Sequence, residues 1–374
     1  MTKSIATGPF QNLKFVIILN KLLGLLSCKL VNGRFKENSV WHRGYCALWL
    51  LFHCLYSVYF YLTMYTAKAE ELFILAIVRY SAYIFSLLPY NYLGAFRSQD
   101  FITFSEKLEA YDDKATTLGH QRKDKHIFTW LYFAYTLSTL FSKTYIIMNN
   151  SIPQGTVIIL RQMFRIISTI SGTYCIFISA IFLDLIRQRF RHLNEVIVPH
   201  VSELPVTGSK DEITVYDVRY LHGVLIDSAE LINRMYGIGT LLTFGSILLD
   251  FISLIYIFVT NDRVDVTITM LDLLFQTIYL FAMYHFAAYE ANRVERLVLK
   301  YGLSFKNSKC RMDKIEMMLY FYHKRFTFTA AEFFVLDLTI LLPVSRLICH
   351  TIILMKYNSI NPHYFRLLPR YQHI

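Results

Sequence analysis

Residues 326–357 read FTFTAAEFFVLDLTILLPVSRLICHTIILMKY. At 32 residues this run is longer than one crossing requires, because a helix spans a hydrocarbon core of roughly 30 Å with about 20 residues. Glu332 and Asp337 lie in its first half and Pro343 near its middle. Proline removes a backbone donor and kinks or divides a helix. The run is therefore expected in two pieces, an inner half to about Leu342 and an outer half from Pro343 to Tyr357. The outer half sets Arg346 and His350 one turn apart on one face, with Ile353 and Lys356 beyond. Charges on a last helix fit a water-filled lumen, whereas charges that snorkel or pair fit a plain anchor.

Six more apolar stretches precede this one, at residues 45–65, 72–96, 127–148, 163–185, 237–260 and 266–289. The connectors between them sort by charge. Lys and Arg number 7 in 1–44, 6 in 97–126, 6 in 187–236 and 9 in 290–325, against 1, 1, 1 and 2 in 66–71, 149–161, 261–265 and 358–374. Cytoplasmic loops retain Lys and Arg. The expectation is an all-α integral membrane protein with seven transmembrane helices, a cytoplasmic amino terminus and an extracellular carboxyl terminus. Residues 1–303 would hold an amino-terminal interfacial helix and a six-helix ligand-binding bundle, 304–357 the divided seventh helix, and 358–374 a short extracellular tail.

With 55% hydrophobic and 17% charged residues, the 374-residue chain leaves no room for a separate soluble domain. Its net charge of +11 is explained by inner loops facing an anionic leaflet, so no nucleic-acid partner is called for. The long inner connectors read as helices extending past the membrane into a collar. In 217–235, Val218, Leu221, Leu225, Ile232 and Met235 share one face. Residues 290–303 continue the sixth span, 313–328 read as a helix feeding the seventh, and 101–125 read as a solvated helix followed by a turn. Residues 15–26, interrupted by Asn20 and Lys21, read as a short interfacial helix.

The chain carries no HExxH, Walker, GxSxG or GxGxxG pattern. Gly237-Ile238-Gly239 reads as a helix-packing device. None of the six cysteines falls in an outer connector and none forms CxxC, so neither a disulfide framework nor a zinc site is indicated. One sequon, Asn149-Asn150-Ser151, lies in an outer connector. No enzyme, no cofactor and no metal is expected.

Ionisable groups within the spans carry more information, because a charge in lipid costs roughly 2.5–3.5 kcal/mol. Arg79, Lys143, Asp250 and Asp272 fall in the outer half or near the midplane. Pairing of Arg79 or Lys143 with Asp250 or Asp272 would tie helices together. Equally, these groups would edge a wet pocket open to the outside, among tyrosines whose rings and hydroxyls suit small organic ligands. On that reading the contacts are Arg79, Tyr83, Lys143, Tyr174, Asp272, Gln276 and Tyr279.

The stretch Phe328-Thr329-Ala330-Ala331-Glu332-Phe333-Phe334-Val335-Leu336-Asp337, followed by Leu341-Leu342, resembles the FTACGFFxLDxxLL signature of insect gustatory receptors, with Ala331 and Glu332 in place of Cys-Gly. The family's next motif, TYhhhhhQF with h apolar, keeps its spacing at residues 349–357, although Cys349, His350, Lys356 and Tyr357 replace its Thr, Tyr, Gln and Phe. The segment 19–26, LNKLLGLL, is also similar. The resemblance implies a homo- or heterotetrameric, ligand-gated cation channel in the plasma membrane of sensory neurons, opened by a small-molecule tastant. It further implies that the divided seventh helix lines the pore, here through Leu342, Arg346, His350 and Ile353. A fourfold ring of Arg346, His350 and Lys356 would disfavour cations, so these side chains would face away from the lumen or a partner subunit would be needed. Two other classes remain open: a G-protein-coupled seven-span receptor, which would put the basic connectors outside, and a small transporter coupled through the intramembrane charges.

Overall fold

The computed structural model describes residues 8–66, 72–122, 126–151, 156–200, 213–261, 264–302 and 311–360, with some helical side chains, Arg79, Lys143, Asn149 and Lys356 among them, outside that description. The tail expected at 358–374 lies outside the described residues from position 361 onward. Each of the first six apolar stretches falls on one helix: α2 (Val40–Thr66), α3 (Leu72–Phe96), α5 (Ile127–Ser151), α6 (Thr156–His192), α7 (Val215–Asn261) and α8 (Val264–Gly302). Among the described residues, the stretches Ile166–His200, Tyr216–Tyr256 and Thr269–Val298 are by length and composition able to cross a membrane. The remaining helices are α1 (Lys14–Leu22), α4 (Ser98–Thr117), α9 (Arg311–His323) and α10 (Leu341–Ile360).

The long α7 organises the bundle. Its 47 residues give a length of about 70 Å at 1.5 Å per residue, and it packs against α3, α4, α6, α8 and α10. Its amino-terminal extension buries the face read from the sequence, with Val218, Leu221, Leu225, Ile232 and Met235 all within the core. Gly237 and Gly239 permit close approach. A Cβ at Gly237 would come 3.1 Å from the Ala331 nitrogen, and one at Gly239 would come 2.8 Å from the Tyr90 ring.

Two expectations for the connecting segments need correction, and one element was not foreseen. Residues 98–117 do form a helix, α4, but not a solvated one: Phe101, Phe104, Leu108, Tyr111 and Ala115 are buried, mainly against α7. The mixed charges of this segment conceal that apolar face, and several are themselves engaged by neighbouring helices, Asp112 by Arg189, and Lys107 and Lys114 by Asp227 and Asp217. A β-hairpin follows α1, pairing β1 (Lys29–Val31) with β2 (Arg34–Lys36). Its turn, Asn32-Gly33, has φ of 53° and 76°, the two-residue turn that Asn-Gly favours.

The second correction concerns the seventh stretch. The helix expected over 313–328 ends at His323, and the first half of 326–357 is not helical until a short 3-10 turn at Leu338–Ile340. Phe326, Phe328 and Ala330 are buried while Thr327 between them is exposed. That period of two belongs to extended chain, and FTFTA had carried it in the sequence. The segment closes a short hairpin through the Thr329–Val335 bridge, with Ala331 and Glu332 at its tip in the left-handed region, φ 49° and 66°. Two asparagines fasten it to the bundle. Asn292 accepts from Phe326 N and donates to Phe326 O, both at 2.8 Å, and Asn233 accepts from Thr329 N at 2.9 Å. Helix resumes at α10, so Pro343 sits in a first turn, where its missing N–H breaks no helical bond.

Candidate functional site

The five candidate ligand residues whose side chains are described fall in two places. Tyr83 on α3 donates its hydroxyl to the Ser168 carbonyl of α6. Gly172, one turn further on, leaves space for it, since a Cβ there would meet Tyr83 Oη at 2.5 Å. Tyr80 and Tyr56 continue the aromatic series toward α2, with ring centroids 6.5 Å and 5.8 Å apart in turn.

Tyr174, Asp272, Gln276 and Tyr279 gather between α5, α6 and α8. Asp272 is buried and its carboxylate accepts at both oxygens, from Tyr135 Oη at 3.0 Å and from Gln276 Nε2 at 3.0 Å. Tyr279 stacks on Tyr132 with centroids 3.8 Å apart and planes within 3°. Phe275 lies 4.2 Å from Tyr135, Phe177 lies 5.6 Å from Tyr132, and Tyr174 meets Phe177 edge-on at 6.0 Å. The Arg79 and Lys143 side chains lie outside the described residues. A buried carboxylate bordered by electron-rich ring faces is an acceptor site suited to hydrogen-bond donors and cations.

Tyr132, Tyr135 and Phe177 belong to this cluster and were missed. The Tyr135–Asp272 hydrogen bond and the Tyr132–Tyr279 stack bring Tyr132 and Tyr135 to this site. Their spacing of three on α5 was the available signal, since it puts both rings on one helical face.

On α10, Val344 and Ile348 pack against the core while the opposite side is open. Leu342 and Ile353 are 65% and 66% exposed, and Arg346 and His350 are exposed between them. The intervals of four, four and three residues align these four side chains in one stripe.

Below the bundle, α4 and α6 enclose a charged group. Arg189 is fully buried, its Nη2 2.5 Å from Asp112 Oδ2 and its Nη1 donating to Leu185 O at 3.0 Å. Arg122 Nε reaches Asp112 Oδ1 at 3.2 Å. Burial alone would raise the Asp112 pKa, but the charges and hydrogen bonds of Arg189 and Arg122 outweigh it and hold the carboxyl below its usual range. His192, bonded through Nδ1 to Tyr111 Oη at 3.0 Å, is pushed down to about 4 by burial and then by Arg122. A cleft of about 200 Å³ opens between α8 and α9, lined by Glu295, Val298, Met318, Leu319, Phe321 and Tyr322, well away from the candidate ligand residues. Among the described residues no three His, Cys, Asp or Glu side chains converge to hold a metal ion.

A family model described as 7tm chemosensory receptor matches residues 13–357. The fold is similar to that of the insect olfactory receptor OR5 from Machilis hrabei, with a TM-score of 0.70 at 12% identity, over 92% of this chain and 97% of that one. The structure of the same receptor in complex with eugenol gives a TM-score of 0.62 at 11% identity, over 93% and 98% of the two chains. Nothing matches among curated proteins.

Proposed function

The chain belongs to the 7tm chemosensory receptor family, and on that premise we propose that it is a gustatory receptor working as a ligand-gated cation channel in the plasma membrane. It is a receptor and not an enzyme. In this reading it has seven spans with the basic connectors and the amino terminus inside, as the sorting of Lys and Arg supports. The 1–303 portion binds ligand, 304–357 supplies the anchor and the pore, and the residues from 358 lie outside.

The observation that carries the reading is the α10 stripe. A final helix packed on one side only, with Leu342, Arg346, His350 and Ile353 aligned on the other, supports a lumen built from several copies of the chain. Arg346 and His350 in every subunit would repel cations, which favours a tetramer shared with related subunits. The ligand is a small organic tastant with a donor or cationic group, taken by Asp272, Gln276, Tyr279 and Tyr174. Tyr83, Arg79 and Lys143 are the further candidates. One bound receptor is known from the comparison, OR5 with eugenol. Ligand opens the channel by binding the open arrangement more tightly, since only differential affinity shifts an equilibrium.

The test is a whole-cell recording with Leu342→Cys and Ile353→Cys, alone and with a related subunit. Agonist-evoked current that needs no nucleotide or G protein, and that a thiol-reactive cation blocks at both positions, supports the reading. Block at neither position, or current abolished by G-protein inhibitors, overturns it. Antibody staining of an amino-terminal tag only after permeabilisation checks the orientation.

A further inference from the structure

The corner where α1, the β-hairpin and the start of α2 meet has a charge and surface pattern that receptor function does not use. On α2 the exposed apolar side chains Leu48, Leu51, Leu55, Val58 and Leu62 form one stripe, and Trp41, 90% exposed, lies on the same stripe seven residues earlier. From Trp41 to Leu62 the helix rises about 31 Å, the thickness of a hydrocarbon core. The indole is therefore at one membrane boundary, where tryptophan concentrates. The exposed side of α1 is apolar too, through Phe15, Ile18 and Leu22, and the Tyr45 hydroxyl ties its end to α2 by donating to Leu22 O.

Around this boundary the arginines Arg34 and Arg43 are paired with Glu109 and Glu37, but three lysines are left without an ion-pair partner among the described residues. Lys29 and Lys36 are direct cross-strand partners at the open end of the hairpin, and both are exposed. Like charges placed directly opposite destabilise a strand pair. Lys21, in the last turn of α1, acts electrostatically on Cys28 and His42, which places it in the same corner as the hairpin's first strand and the first turn of α2. Arg43 is paired with Glu37 at 3.0 Å, whereas Lys21, Lys29 and Lys36 have no ion-pair partner among the described residues. Uncompensated positive charge, an interfacial indole and an apolar flank together match one occupant.

We propose that this corner is a docking face for acidic phospholipid, with Lys21, Lys29 and Lys36 on the headgroups and Trp41, Phe15, Ile18 and Leu22 against the adjoining acyl chains. Each lysine near an anionic surface strengthens local binding by about fivefold. The face is set by charge and depth, and it holds whichever leaflet it meets.

The test uses the full-length protein in nanodiscs of phosphatidylcholine with one fifth phosphatidylserine, bromine being carried on one lipid or the other. The quenching of Trp41 is the difference between the protein and its Trp41→Phe variant. Per mole of brominated lipid, phosphatidylserine is expected to quench Trp41 at least about twofold more than phosphatidylcholine, given the stated gain per lysine. The triple variant Lys21→Gln, Lys29→Gln, Lys36→Gln brings the two lipids to parity, while the triple Lys→Arg variant keeps the preference. Raising salt tenfold with every lysine in place, and with Trp41→Phe as the only variant needed for reference, also lowers it. Equal quenching by both lipids in the unaltered protein, or a preference indifferent to the Gln variant and to salt, overturns the proposal.

Discussion

Replacing Asp112 by Asn removes the charge that balances Arg189 and leaves the side-chain volume unchanged. Arg189 is wholly buried and cannot turn to water, so its guanidinium would stay in place against a neutral amide that can accept a hydrogen bond but supplies no countercharge, with Leu185 O still accepting from Nη1. Breaking one side of a buried pair costs roughly 3–5 kcal/mol. Asp112 keeps 27% of its side chain exposed, so water reaches the site and the lower end applies, about 3 kcal/mol. Arg189→Met is the informative counterpart. It removes the buried charge itself, and Asp112 keeps Arg122, so the cost falls to about 1 kcal/mol. The assay is amide hydrogen exchange across 101–116 in α4, which reads local opening. Asp112→Asn should speed exchange there by about 100-fold and Arg189→Met by less than about tenfold. Exchange within threefold of the unaltered protein for Asp112→Asn, or a larger effect for Arg189→Met, would refute the buried-charge account.

Glu332→Gly should stabilise the protein by about 0.5–1 kcal/mol, because glycine removes the left-handed backbone penalty and returns part of that gain as unfolded-chain entropy; a rise in melting temperature in detergent checks it. Asn292→Ala strips both hydrogen bonds from Phe326 and should cost about 2–3 kcal/mol, seen as faster tryptic cleavage after the exposed Lys324 and Arg325. Gly172→Ala should displace the Tyr83 hydroxyl and cost about 1–3 kcal/mol, with Tyr83→Phe recovering much of the loss in a double-mutant cycle on thermal stability. Acid should loosen the collar before it denatures the bundle. His192 and His222 are both pushed from 6.5 to about 4, His192 by burial and Arg122, His222 by burial and Lys324 with the Ala291 carbonyl opposing. Their folded pKa values lie below the unfolded ones, so the unfolded chain binds more protons between pH 4 and 6.5 and stability falls as pH drops through that window. From pH 7 to 5 the loss is on the order of 2–4 kcal/mol for the two together, read as exchange in α7 around residue 222, and no change across that interval would contradict it.

The long apolar helices were legible because their signal is local. Hydropathy over about 20 residues and the 3.6-residue face of 217–235 do not depend on what packs against them. The hairpin was equally local, since Asn32-Gly33 between short alternating segments is a turn signal, but it was overlooked behind the apolar run before it. Residues 326–337 failed for a different reason. Their apolar content suggested helix, and only the F-T-F-T alternation pointed to extended chain. The identity of the fastening groups, Asn233 and Asn292, could not be read at all. An asparagine that mimics a peptide group for a strand about 34 or 96 residues away leaves no mark on its own neighbours.

Relative level between helices is what counting along the sequence cannot supply. Each helix can be counted from its own ends, but tilt and unequal connectors shift those origins, and only a contact between helices restores a common scale. The bond from Tyr135 to Asp272 is such a contact, as is the bond from Thr129 to Asp184 at 3.0 Å, about two turns closer to the collar on α5. Between them lie the stacked rings of Tyr132 and Tyr279. The carboxylate of Asp272 therefore sits above a closed aromatic floor, and a second carboxylate, Asp184, lies beneath that floor already engaged by Arg187 and Gln188. Each carboxylate takes one bond from α5, Asp272 from Tyr135 and Asp184 from Thr129, and others from its own helix, Asp272 from Gln276 and Asp184 from Arg187 and Gln188. The two contacts therefore pin α5 to α8 and to α6 at successive levels about two turns apart, a relation between helices that no count along one helix can supply.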